Sequence, residues 1–182
     1  MSTNAIVPGS LGAIAKQENK SIAETFVNAD LVVIVDTSGS MSTHDSRGQK
    51  SRYDVACEEL AQLQTAHPGK IAVLAFADST IFCPSGVPTY LGGGTNMAGA
   101  LQFAKIADVP GMQFILISDG EPTAHLERGR SYFAYPPSPI TIRETLKEVK
   151  RCTQKKITIN TFMLDRNYDL EECVNQVAKM NK

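Results

Sequence analysis

A chain of 182 residues with 42% hydrophobic and 20% charged content is long and apolar enough to form one globular domain with a real core. Its formal net charge of -1 gives no general pull toward nucleic acid or an anionic membrane surface. No apolar run approaches the roughly 18 residues of a membrane span, and Met1 to Lys20 has neither the basic start nor the apolar centre of a secretory signal. Cys57, Cys83, Cys152 and Cys173 stand at wide, irregular spacings without a CxxC pair. Reduced, mostly buried thiols in a cytoplasmic protein are therefore expected.

Met1 to Lys20 is weakly periodic and reads as a loosely ordered segment within an N-terminal arm over residues 1–29. Ser21 to Asn28 has room for a short helical turn. Leu31–Val35 is a continuous apolar run and the first strand. Ser51 then caps a helix in which Tyr53, Ala56, Cys57 and Leu60 recur at i, i+3, i+4 and i+7. Ile71–Phe76 forms the second strand. Ser79–Cys83 follows after a tight turn at Asp78, and so short a connection forbids a parallel crossover, making this segment an antiparallel neighbour. Met97, Ala100, Leu101 and Ala104 repeat the helical spacing after Thr95. Phe114–Ile117 is the next strand. Thr141 and Glu144 make a capping-box pattern ahead of Ile142, Leu146 and Val149. Ile157–Leu164 is the last strand, and Asp169 with Glu172 repeats the capping pattern ahead of Leu170, Cys173, Val174 and Val177. Strands that are nearly continuous rather than alternating suit burial on both faces. Their alternation with helices predicts a Rossmann-like, doubly wound, three-layer α/β/α sandwich with a mostly parallel sheet over residues 30–182.

Three motifs fall where such a sheet gathers ligands, at the carboxyl ends of its strands. Asp36-Thr37-Ser38-Gly39-Ser40 closes the first strand and offers a carboxylate with hydroxyls at a fixed edge. A small divalent cation such as Mg²⁺ takes hard oxygen ligands of this kind. Taken alone, these five residues have a polar turn chosen for capping and tight geometry as their alternative reading. Gly92-Gly93-Gly94-Thr95-Asn96 presents Thr95 on a sharply turning loop before a helix. Ser118-Asp119-Gly120-Glu121 follows the strand Phe114–Ile117, which puts Asp119 in the place equivalent to Asp36.

With these motifs in this order, the chain resembles a von Willebrand factor A (vWA) domain, the fold shared with integrin I domains, from about Asp30 to Lys182. The family's metal-ion-dependent adhesion site is a D-x-S-x-S loop, a distant Thr and a distant Asp. Asp36, Ser38, Ser40, Thr95 and Asp119 stand at all five positions. The resemblance implies that Ser38 and Ser40 bind Mg²⁺ directly, with Mn²⁺ or Ca²⁺ as substitutes. Thr95 would bind directly or through water, and Asp36 and Asp119 would act largely through water. Neutral direct ligands leave the cation under-neutralised, so a Glu or Asp of a partner protein would complete its shell. The family often has a sixth strand and a further helix, whereas here the helix Leu170–Met180 stands close to Lys182; a compact version is therefore expected, with five strands ordered 3-2-1-4-5 by analogy and one antiparallel edge.

The segment Glu121 to Ile140 is long for a connection that usually takes about 2–6 residues. Its Tyr132, Phe133 and Tyr135 stand beside Pro136, Pro137 and Pro139 and are expected to contact a partner, since aromatics bury much area at little entropic cost. Folding back onto the domain is the alternative. His44, Asp45 and Arg47 flank the site in the loop Met41–Lys50, where a hard-oxygen set disfavours His44 as a ligand. His67 and His125 read as ordinary surface histidines. Lys150, Arg151, Lys155 and Lys156 suit a helix C-terminus without nucleic acid. The triple glycine lacks the Lys-Ser or Lys-Thr of a P-loop.

Two functions follow. The first is a non-enzymatic, Mg²⁺-dependent protein-interaction module, which by the same resemblance would serve beside an AAA+ ATPase or in a stress-response complex. The second is a Mg²⁺-dependent phosphohydrolase or phosphotransferase with Asp36 as nucleophile. Phosphatases of the haloacid-dehalogenase type use D-x-D, however, and the second position here is Ser38.

Overall fold

The computed structural model describes residues 6–44, 49–107, 112–164 and 168–181. Asp45 and Arg47 lie outside the described residues. The chain begins with helices α1 (Leu11–Glu18) and α2 (Ile22–Phe26), followed by strand β1 (Leu31–Asp36) and helix α3 (Arg52–Ala66). Strands β2 (Ile71–Phe76) and β3 (Thr80–Phe82) precede α4 (Met97–Ala104) and β4 (Gln113–Ser118). A hairpin, β5 (Ala124–Glu127) and β6 (Arg130–Phe133), leads to α5 (Pro139–Gln154), β7 (Thr158–Met163) and α6 (Tyr168–Met180).

Five strands form one sheet in the order β3-β2-β1-β4-β7. β2, β1, β4 and β7 are parallel, and β3 runs antiparallel to β2 at one edge. With the hairpin strands set aside, this is the predicted order. β1 and β2 are buried almost throughout, and alternate side chains serve opposite faces, as strand geometry requires. Val32, Ile34, Leu74, Phe76, Phe114 and Leu116 pack with Met97, Leu101, Val149 and Val177 of α4, α5 and α6. Val33, Val35, Val73 and Ala75 pack with Ala56 and Leu60 of α3 on the other face. The three layers are therefore present. Among the described residues, no helix is long and apolar enough to cross a membrane.

The helix starts are chemically marked. Ser51 and Asp54 form a reciprocal capping box on α3, the Ser51 hydroxyl accepting from the Asp54 N–H at 3.0 Å. Asn96 caps α4 by accepting from the Gly99 N–H at 2.9 Å. On α5 the cap is Ser138, not Thr141. Pro139 lacks an N–H and has a φ suited to the first helical position, so the helix starts earlier and Thr141 instead donates its N–H to the Ser138 hydroxyl.

Two segments are more ordered than their composition predicts. Residues 11–18 form α1, with Leu11 and Ala15 buried and Ser10 as cap. Backbone bonds tie this segment down: Val7 N–H to Ser85 O (2.9 Å), Gly12 N–H to Pro84 O (2.8 Å) and Gly69 N–H to Gly9 O (2.8 Å). Gly12 is required for that approach, since a Cβ there would lie 2.7 Å from the Pro84 carbonyl oxygen. The long connection after β4 holds the β5–β6 hairpin, which turns through Arg128 and Gly129, both at positive φ (49° and 78°). That is the handedness a two-residue hairpin loop needs.

Candidate metal centre

The pairing register brings Asp36 to the end of β1 and Ser118 to the end of its neighbour β4. Asp36 is fully buried, and both of its carboxylate oxygens accept hydrogen bonds: Oδ1 from the Ser38 N–H at 2.8 Å, Oδ2 from the Ser118 hydroxyl at 2.6 Å. Burial pushes its carboxyl up to about 6. The bonds from Ser118 and Ser38 oppose that rise, and the nearby Asp119 charge adds to it. A 3₁₀ turn over Gly39–Ser42 follows the extended Ser38, and the Ser38 and Ser40 hydroxyls lie 3.2 Å apart. Ser40 donates to Asp119 Oδ1 at 3.0 Å, and Arg52 Nη1 donates to Asp119 Oδ2 at 2.8 Å.

Four of the five predicted residues thus belong to one polar chain, and a neighbour that the motif does not contain stands at each end. Thr95 arrives by a different route. The Gly92 N–H donates to Thr37 O at 2.9 Å and the Gly39 N–H to Gly93 O at 3.0 Å, which ties the glycine loop to the β1 loop. Thr95 is buried, and its own backbone is held by Thr123: its N–H donates to Thr123 Oγ1 at 2.9 Å, and its carbonyl accepts from the Thr123 N–H at 3.0 Å. Among the described residues its hydroxyl takes no part in the polar chain. Gly93 has φ +86°, and a Cβ there would lie 2.3 Å from Asp78 Oδ2, so no other residue fits this turn without displacement.

The donor set is entirely oxygen: three hydroxyls and two carboxylates, with Ser40 exposed at the mouth and the carboxylates buried behind it. Among the described residues there is no group of three or more His, Cys, Asp or Glu able to hold a metal. The three hydroxyls and two carboxylates are themselves hard oxygen donors, the kind a cation such as Mg²⁺ takes. His44 is exposed.

Tyr132, Phe133 and Tyr135 lie on and just beyond the hairpin, which is joined to Thr95 through Thr123 and Ala124. Phe133 leans over Gly94, where a Cβ would come within 2.8 Å of its ring. The expectation for His125 is corrected. It is buried on the hairpin, its Nδ1 lies 2.9 Å from Thr141 Oγ1, and Tyr132 stacks on it with ring centroids 5.6 Å apart. Its two partners, Tyr132 of β6 and Thr141 in the first turn of α5, look unrelated to it in the sequence. His67 is exposed as expected. The four cysteines are free, and burial pushes the thiols of Cys57, Cys152 and Cys173 up to about 11, which disfavours the thiolate form.

Arg52 and Ser118 were absent from the predicted set. Ser118 is adjacent to a predicted residue on the strand end, so its place was readable from the motif's own boundary. Arg52 meets Asp119 across 67 residues, and no local pattern announces it.

The sheet order and the polar loops at its strand ends define a domain of the vWA class. The chain belongs to the family described as Rv0959-like protein, vWA domain, which matches residues 29–182. It is 30% identical over 169 residues to the uncharacterized protein Rv0959 of Mycobacterium tuberculosis and, equally, to the uncharacterized protein Mb0984 of Mycobacterium bovis. Each alignment covers 86% of this chain but 25% of the relative, so the chain spans about a quarter of the length of these curated relatives. Among solved structures, the VWA domain of SpRpn10 superposes with a TM-score of 0.56 at 10% identity, over 82% of each chain. The PilB minor pilin of Streptococcus sanguinis superposes at 0.54 and 16% identity, over 84% of this chain and 55% of the pilin. At these identities the likeness is one of fold.

Proposed function

We propose that this domain is a non-enzymatic, Mg²⁺-dependent protein-interaction module whose metal site captures a Glu or Asp of a partner protein. Ser38, Ser40 and Thr95 would hold the ion, with Asp36 and Asp119 behind them. The bound cation would supply a Lewis-acidic coordination position for the partner's carboxylate. The observation that carries this reading is the polar chain Ser38–Ser40–Asp119, which ends in buried carboxylates and opens at an exposed hydroxyl. Neutral oxygens in front and charge behind favour capture of an external anion. Tyr132, Phe133 and Tyr135, exposed beside the Thr95 loop, would add apolar contact. A cytoplasmic setting beside an AAA+ ATPase or in a stress-response complex is the context we expect.

The competing phosphohydrolase would need Asp36 as a nucleophile. Both of its oxygens accept hydrogen bonds and its side chain is buried, an arrangement suited to positioning rather than to in-line attack. The test is capture of partner protein by the immobilised domain in Mg²⁺ and in EDTA, with Ser38→Ala/Ser40→Ala as control. Capture that requires Mg²⁺ and fails in the double variant is expected. Mg²⁺-dependent hydrolysis of p-nitrophenyl phosphate, lost in Asp36→Asn, would instead favour the enzyme.

A further inference from the structure

Arg52 is the first residue of α3, and its position is fixed from two sides. The Ser51–Asp54 capping box sets the helix start, and the Arg52 N–H donates to Thr43 O at 3.1 Å, beside the serine loop. Its side chain is 10% exposed, and it reaches Asp119 Oδ2 at 2.8 Å while Ser40 holds the other oxygen at 3.0 Å. A permanent cation therefore shares one carboxylate with the hydroxyl proposed as a metal ligand, because guanidinium does not lose its proton in proteins.

We infer that Arg52 is a specificity-determining residue that weakens capture of the metal and strengthens capture of an external carboxylate. The inference rests on the metal reading above. Counting Asp36, Asp119 and Arg52 alone, with both carboxylates ionised, the guanidinium leaves these three groups a single net negative charge. A divalent ion turns that into a net positive charge, and in a partly buried site such a surplus acts strongly on an incoming anion. Without Arg52 the two carboxylates would balance the ion. The metal would bind more tightly, and its attraction for a partner's carboxylate would fall.

The opposite signs of the two effects make the test specific, since a residue that merely supports the fold would weaken both when removed. Calorimetry with Mg²⁺ alone gives the first affinity. Acetate titrated into the Mg²⁺-saturated protein, followed by ¹H–¹⁵N chemical shifts, gives the second. Arg52→Gln is expected to bind Mg²⁺ at least tenfold more tightly and acetate at least fivefold more weakly, with Arg52→Lys close to wild type in both. Arg52→Met, which keeps the apolar stem, repeats both measurements should Arg52→Gln fail to fold. Equal Mg²⁺ affinity in wild type and the neutral variants, or weaker binding of both ligands, overturns the inference and leaves the metal reading standing. Mg²⁺ binding by the neutral variants alone supports it. Binding by no form of the protein overturns the metal reading and this inference with it.

Discussion

At the strand end, Asp36 and Asp119 are buried and each of their four carboxylate oxygens accepts a hydrogen bond; on the adjoining hairpin, Tyr132, Phe133 and Tyr135 are 47%, 65% and 78% exposed. The first region is held by a register of parallel strands and by polar bonds between distant segments. The second is a two-stranded ribbon, a unit of marginal stability by itself, fastened through Thr123 to Thr95 and through His125 to Thr141. The difference separates two tasks. Rigid burial can hold oxygen donors in the geometry an ion demands, and exposed aromatics on a tethered ribbon can meet a partner surface.

Substitutions at the strand end should therefore cost stability, and substitutions on the ribbon should cost binding. The largest effect is expected at Gly93→Ala. A Cβ at positive φ pressed against Asp78 should lower unfolding free energy by about 2–3 kcal/mol in urea titration. An unchanged midpoint would mean that the glycine loop is slack and does not position Thr95. Ser118→Ala removes the donor to a buried carboxylate oxygen of Asp36 and should cost about 1–2 kcal/mol by the same measurement. Tyr135→Ala should alter stability by no more than about 0.5 kcal/mol. The same substitution should weaken partner capture roughly tenfold if the residue is an interface anchor. A loss of stability without a loss of capture would reverse the assignment of tasks. The smallest effect is at the ribbon tip: Arg128→Asn should stabilise by about 0.5 kcal/mol, because Asn tolerates positive φ better, and should slow amide exchange in β5 and β6.

Much of the strand-end region was legible in the residues themselves. Leu31–Val35 and Ile71–Phe76 are apolar without interruption because helices cover both faces, and that pattern is local. Asp36, Ser38, Ser40 and Asp119 stood out because polar residues directly follow buried strands. Arg52 did not, since a side chain at a helix start carries no sign of which distant carboxylate it will meet. The hairpin leaves little trace in the sequence, because its strands are four residues each and its turn is Arg-Gly rather than Asn-Gly. His125 reads as a surface residue for the same reason, because its burial depends on that hairpin packing against α5. Helix α1 was obscured by weak periodicity, as its order comes from backbone bonds to Pro84 and Ser85 that no side-chain pattern records.

The central claim is that the oxygens at the ends of β1 and β4 form a Mg²⁺ site open to an external carboxylate. Titration calorimetry with Mg²⁺ on the wild-type domain and on Ser38→Ala/Ser40→Ala tests it most directly. The account predicts saturable binding at one site in the wild type and its loss in the double variant, with both proteins folded by circular dichroism. Equal binding by the two proteins, or none by the wild type, would contradict it.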